Sequence, residues 1–504
     1  MSRALTRSIV VSLGLLAAAN LWADVRLPSL FSEHMVLQRE AQTPVWGWAT
    51  PGEQVTVAIG GQTQTARADA HGKWTVKLAN LQAGGPQKLT VQGKNSLSVN
   101  DVLVGEVWLG SGQSNMGLRV SGAQNFEQEQ KNANLPQVRM FTVTSGAADT
   151  PQDDCKGQWI VCAPQTVGDF SATLYFFGRE VYKSLDVPVG LINSSVGGTP
   201  IESWISSDVQ HTSPELKPFF EASAQEDKVF DAVTAKAKYE KDLARWKEVA
   251  KKARKDGRAV PRAPRDPVAT RERKGNVGGL FNGKIAPLIP YAIRGAVWYQ
   301  GEANTHGDKA QFYQYQLPLL VTDWRARWGS EFPFAWVQLP NFTAGEGWCV
   351  VREAMLKSLK VPNTGMAVAI DIGEPKNIHP KNKQEVGRRL GMWALGTVYG
   401  KKIATSGPLP AAHTVRGNEM VVSFAHADGG LVAKGGNLKG FVIAGADYQW
   451  KPAKARIEGE DVIVSSADVP QPVAVRYAWA DNPDCNLYNA AGLPASPFRT
   501  DDAK

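Results

Sequence analysis

From residue 24 to about residue 100, apolar and polar positions alternate in short runs (VWGW, QVTVAI, KWTVKL, QKLTVQ, SLSV), broken by Pro-Gly at 51 and 52, Gly-Gly at 60 and 61 and His-Gly at 71 and 72. A period of two between turn residues predicts half-buried strands, and strand after strand without a helix predicts a small antiparallel β-sandwich. The pattern changes at Val102. VLVGEVWL is a short apolar run with β-branched residues, which predicts a buried strand, and Gly110, Gly112 and Gly117 punctuate the stretch just after it. Beyond this point the apolar strands VPVGLINSSV, IRGAVWYQG, FAWVQLP and MAVAIDIG alternate with segments of helical period such as Leu174, Phe177, Val181 and Leu185. Strands separated by helices predict crossover connections, hence an α/β domain with a mainly parallel sheet and helices on both faces. Alternation returns from about Ile403 in EMVVSF, LKGFVIAG, DVIVSS and PVAVRYAWA, and predicts a second all-β portion. The expected organisation is therefore an N-terminal β-sandwich over 24–101, an α/β domain over 102–402 and a β-rich part over 403–504, with its aperiodic tail folded back toward the α/β domain.

Two segments stand outside this scheme. Arg3 and Arg7 precede the apolar run IVVSLGLLAAANL, and small residues lead to Ala23. These are the parts of a secretory leader over 1–23, so the chain is expected in the periplasm or outside the cell. The run is too short for a stable membrane span. The second segment, about 210–276, is a basic insertion in which Phe230, Val233, Tyr239, Leu243, Trp246 and Val249 recur at helical spacing. It explains the net charge of +8, because residues 236–274 alone hold 15 Lys and Arg against 6 Asp and Glu. No nucleic-acid recognition motif accompanies that charge, so nucleic acid is excluded as a partner, and a solvated helical face fits the pattern better. The four cysteines, Cys155, Cys162, Cys349 and Cys485, are too few and scattered for a disulfide scaffold and show no zinc spacing.

In parallel sheets chemistry gathers at the carboxyl ends of the strands, so the residues just past each strand carry the functional reading. VLVGEVWL delivers Ser114 to a tight turn, which presents its hydroxyl at the sheet edge. VGLINSSV leads to Gly197 and Gly198, where the backbone can approach a ligand closely. GAVWY leads to Gln300, Gly301, Glu302, Ala303 and Asn304, and an Asn amide at such an edge can donate to an oxyanion. AVAIDI leads to Glu374 and His379, and a His just past a strand end can reach a Ser on a neighbouring strand.

Together GQSNM, SSVGGTPIESW, WYQGEAN, IHPKNKQEVGRRL and the tail pieces RYAWADNP, NLYN and GLPASPFRT resemble the sialate O-acetylesterase family, a branch of the SGNH (GDSL-type) hydrolases. The resemblance implies a flavodoxin-like catalytic domain and a serine esterase that removes O-acetyl groups from sugars. It implies Ser114 as nucleophile, His379 as base, and an oxyanion hole from Ser114, Gly198 and Asn304. Gln113, Gly197, Glu302 and Glu374 are candidates for support. Such chemistry requires neither metal nor organic cofactor. The sequence departs from many SGNH enzymes at Lys376, where Asp is usual three residues before the His. Asp371 is the expected orienting acid, with Glu302, Glu374 or a backbone carbonyl as alternatives. The substrate is expected to be O-acetylated sialic acid, or else an acetylated plant polysaccharide such as xylan. Two further readings use other features: a glycosidase with Glu302 and Asp371 as its carboxylate pair, and a non-catalytic glycan-binding protein.

Overall fold

The computed structural model describes residues 24–261, 263–269 and 277–501; the leader expected over 1–23 and the end of the basic insertion at 270–276 lie outside the described residues. Its centre is a mixed sheet in the order Thr364–Val368, Phe334–Gln338, Gly295–Tyr299, Ser96–Gly112, Val189–Ser195, Leu135–Thr142 and Trp159–Cys162. The first six strands are parallel, and Trp159–Cys162 closes one edge antiparallel to Leu135–Thr142.

The apolar runs predicted as buried strands are buried on both faces, as crossover-connected strands must be. Successive side chains point to opposite sides. Ala296, Trp298 and Trp336 pack with Leu317, Leu320, Trp324 and Val351 of the helices Tyr313–Trp328 and Gly347–Lys357. Val297, Tyr299, Ala335 and Val337 pack with Leu174, Phe177, Val181, Val386 and Leu390 of the helices Ala172–Leu185 and Lys383–Trp393 on the other side. The latter two helices approach closely because Gly387 and Gly391 face Ala172–Leu185: a Cβ at Gly387 would lie 2.4 Å from Phe176 Cβ.

The strand Ser96–Gly112 is longer than the run that predicted it. Its first half pairs antiparallel with Gly84–Gln92 and parallel with Val36–Gln38, and its second half enters the parallel sheet. Gln54–Ile59 and Gln62–Arg67 extend the N-terminal side, while Thr43–Trp48 pairs with Lys73–Leu78. Near the middle of the strand, Glu106 is fully buried yet fully paired. It accepts from Arg39 Nε at 2.5 Å, Arg294 Nε at 2.6 Å and the Tyr399 hydroxyl at 3.0 Å. Those three partners come from three distant parts of the chain.

The basic insertion contains the helices Lys217–Val229 and Ala232–Lys255, the second capped by Asp231. From Leu409 to Arg499 short strands form small antiparallel sheets around a separate apolar core that includes Met420, Ile443, Val462 and Tyr477. This part is fastened to the α/β sheet side by Arg499, which donates to Glu353 at 2.8 and 3.0 Å, and by Arg352, which donates to the Ala480 and Asp481 carbonyls at 2.7 and 2.8 Å. All four cysteines are free thiols. Among the described residues no helix is long and apolar enough to cross a membrane.

Candidate active site

The long strand ends at Gly112, whose φ of +133° and close approach to Tyr299 admit no side chain: a Cβ there would lie 2.2 Å from the Tyr299 carbonyl oxygen. Gln113 N donates to that same carbonyl at 2.9 Å, and its Oε1 accepts from Ala303 N at 3.3 Å. The chain is thus pinned to the neighbouring strand end immediately before Ser114. A single helical turn, Ser114–Gly117, comes next. The main crossover helix starts only at Ala172, after the edge strands.

His379 lies in the loop between Thr364–Val368 and Lys383–Trp393, and its Nε2 is 2.8 Å from Ser114 Oγ. The loop owes its shape to its own polar residues. Asn377 Oδ1 accepts from His379 N at 3.1 Å and its Nδ2 donates to the His379 carbonyl at 2.9 Å. Glu374 accepts from Lys381 N at 2.9 Å and Asn377 Nδ2 at 3.1 Å. The Lys381 amide, together with Asn377, holds the Glu374 carboxyl below its ordinary value. Glu374 therefore shapes the histidine loop as a backbone clamp.

Asp371 is placed differently from the orienting role expected for it. Its two oxygens accept from Arg389 at 2.6 and 2.8 Å, and the Tyr488 hydroxyl adds a bond at 3.0 Å. Burial would raise this carboxyl, but the Arg389 guanidinium overcomes burial and holds it below the usual range. The strand end carries Asp371 toward the helix Lys383–Trp393 and the C-terminal tail, where a buried guanidinium requires a carboxylate.

Asn304 is also placed differently. It is fully buried; its Nδ2 donates to Glu202 at 2.9 Å and its Oδ1 accepts from Ile201 N at 3.0 Å and Gln300 Nε2 at 2.7 Å. It ties the turn after Gly295–Tyr299 to the loop after Val189–Ser195 and does not line the cleft. Gly301, at φ +148°, redirects the chain into the tight turn Glu302–Asn304 and so takes the amide beneath the edge. Of the two glycines in the neighbouring loop, Gly197 lines the cleft and Gly198 does not. A Cβ at Gly197 would sit 3.4 Å from Ser114 Cβ, whereas Gly198 is in the left-handed region at φ +71°.

Beneath Ser114 lies a polar network that the sequence pattern does not reveal. Asn115 Nδ2 donates to Glu302 Oε1 at 2.5 Å and to the Ile378 carbonyl at 2.9 Å. Lys383 Nζ donates to Asn115 Oδ1 at 2.7 Å and to the Pro380 carbonyl at 2.8 Å, and lies 5.2 Å from the Tyr299 ring centre. Burial pushes the Lys383 ammonium down to about 7 and raises the Glu302 carboxyl, since low polarity penalises both charges. Every hydrogen-bonding group of the Asn115 side chain is engaged. Glu302 is thus a support of this network, and neither it nor Asp371 lines the cleft, so the pair does not form a glycosidase site.

The cleft itself has a volume of about 400 Å³ and is bordered by Ser114, Gly117, Arg119, Asn193, Gly197 and His379 among others. Asn193, which the strand pattern also leaves unmarked, sits near the end of a predicted strand, and its Oδ1 accepts from the Ser195 hydroxyl at 2.9 Å. Among the described residues, the backbone N–H groups of Ser114 and Gly197 have no acceptor within the chain. No group of three His, Cys, Asp or Glu side chains among the described residues is placed to hold a metal ion. The arrangement offers a hydroxyl, a base and free backbone donors in one solvent-open cleft, which are the parts that acyl transfer needs.

Comparison with known proteins gives concordant results. A family model described as carbohydrate esterase, sialic acid-specific acetylesterase, matches residues 104–254 and 283–395. The chain is 31% identical to sialate O-acetylesterase of Homo sapiens, covering 96% of this chain and 95% of the human protein, and 31% identical to that of Mus musculus, covering 94% of each. The crystal structure of a carbohydrate acetylesterase from Xanthomonas citri aligns with a TM-score of 0.81 at 36% identity, over 95% of this chain and all of that one.

Proposed function

Since the chain belongs to the carbohydrate esterase family of sialic acid-specific acetylesterases, we propose that Ser114 and His379 are the nucleophile and general base with which it removes acetyl groups from O-acetylated sialic acid. The protein is a carboxylic ester hydrolase acting on sugar acetyl groups. The observation that carries the assignment of residues is the 2.8 Å separation of Ser114 Oγ and His379 Nε2 at the edge of the parallel sheet.

A serine hydroxyl is a weak nucleophile near neutral pH, so its proton must leave as it attacks. Ser114 Oγ bonds to the acetyl carbonyl carbon while His379 Nε2 takes the proton. The oxyanion forms against the backbone N–H groups of Ser114 and Gly197, each such donor worth about 3 kcal/mol in the transition state. Collapse breaks the bond to the sugar oxygen, which takes the proton from His379 and departs as a hydroxyl. Water then attacks the acetyl-serine with the same histidine as base, releasing acetate and restoring the serine.

The reading extends to the architecture: a flavodoxin-like SGNH hydrolase domain over about 102–402 between an N-terminal β-sandwich and a C-terminal β-rich part. The six parallel strands with helices on both faces support it. The leader expected over 1–23 makes this an exported enzyme.

The test is acetate release from O-acetylated sialic acid and from 4-nitrophenyl acetate by the wild type, Ser114→Ala and His379→Ala. Each variant is expected to lose on the order of a thousandfold or more in kcat. Full activity of the serine variant would remove the assignment.

A further inference from the structure

Beside the cleft lies a second, larger cavity of about 630 Å³, formed where the edge strands Leu135–Thr142 and Trp159–Cys162 meet the turns around Arg119 and Asp169. The two cavities share Arg119, Thr142 and Asp169, so they lie side by side along a common rim. Its volume falls within the range of ligand sites, roughly 300–1,000 Å³.

The esterase reaction sets what can lie there. Acetate is small and stays at Ser114; only the leaving alcohol extends away from the serine. The cleft beside Ser114 and His379, at about 400 Å³, has room for the ester and the ring that bears it. A sugar joined to the acetylated one extends from the cleft on the side where the second cavity lies.

The lining is of a kind that suits a sugar ring. Half-buried Ile160 gives an apolar surface for ring C–H groups, with Met140 and Phe170 buried in the wall, and Gln158 and Gln165 give amides that can both donate to and accept from hydroxyls. Charge is confined to the shared wall, where Arg119 donates to Asp169 at 2.8 Å with both side chains exposed. A uniformly charged or wholly apolar ligand finds no match in this lining.

We propose that the second cavity is a glycan subsite that seats the sugar joined to the acetylated residue, so that the preferred substrate is an O-acetylated sugar within an oligosaccharide. The proposal rests on the sugar-esterase reading above. Gln158 and Gln165 are exposed and carry no hydrogen bond within the chain among the described residues, so a bulky residue at either can fill the cavity without disturbing the core.

The experiment compares three substrates: free O-acetylated sialic acid, the same sugar linked to lactose, and 4-nitrophenyl acetate. Wild type is expected to hydrolyse the linked sugar with kcat/KM about tenfold above the free sugar. Gln158→Trp and Gln165→Trp are each expected to abolish that advantage through KM, while leaving the free sugar and 4-nitrophenyl acetate within about twofold of wild type. Equal kcat/KM for free and linked sugar in the wild type would overturn the subsite, as would variants that slow all three substrates alike. If wild type cleaves 4-nitrophenyl acetate but neither sugar, the sugar-esterase reading itself fails and the subsite goes with it.

Discussion

Asn115 donates to the Ile378 carbonyl at 2.9 Å, so the residue after Ser114 holds the residue before His379. Lys383 grips the loop from the other side of the histidine through the Pro380 carbonyl, and joins Asn115 at 2.7 Å. The serine turn and the histidine loop come from opposite ends of the α/β domain, and this buried amide and amine fix their separation.

Removing either partner should therefore slow the reaction without weakening substrate binding. Asn115→Ala and Lys383→Met are each expected to lower kcat by about a hundredfold, the loss typical of misplacing a catalytic group by an ångström, with KM nearly unchanged. Steady-state kinetics on 4-nitrophenyl acetate reads this directly. A loss confined to KM would show that the network serves binding instead.

The two glycines of the cleft loop should separate by phenotype. Ala at Gly197 would place its methyl 3.4 Å from Ser114 Cβ, an ordinary contact, so the variant is expected to keep its Tm while kcat/KM falls. Ala at Gly198 must adopt φ near +71°, which costs about 1 kcal/mol and lowers Tm. Thermal unfolding beside kinetics distinguishes them; equal Tm losses would count against the distinction.

Asp371→Asn is expected to behave as a stability variant. Breaking the buried pair with Arg389 costs about 3 kcal/mol at pH 7. Because the folded-state value lies below the ordinary 3.8, the stabilisation is fully present above that value and disappears as pH falls through the lower one. The Tm gap between variant and wild type should accordingly be widest near neutrality and close below about pH 4. Near-wild-type Tm with kcat reduced by orders of magnitude would return Asp371 to the histidine.

What the sequence made legible depended on backbone direction. Ser114, Gly197 and His379 stand just past strand ends, and apolar runs locate strand ends well. Asp371 and Asn304 also stand past strand ends, but side-chain partners decided their roles, and those partners lie elsewhere: Arg389 a helix away, Glu202 in another loop. Lys383 was hidden by its own type. In PKNKQEVGRR it reads as one more solvated charge, yet it is completely buried because Asn115 and the Pro380 carbonyl receive its hydrogens. The second cavity had no linear signal at all, since it forms where an antiparallel edge meets turns from two other segments.

The strand Ser96–Gly112 imposes a condition on how this chain can be divided. Its early half is bonded by the N-terminal strands and its late half delivers Ser114, so the amino-terminal region is a co-author of the catalytic sheet and not an appendage. A chain shortened to begin near residue 96 would expose a naked apolar edge along half of its central strand. Such edges recruit other chains, and self-association would compete with the folding step that brings the serine to its histidine.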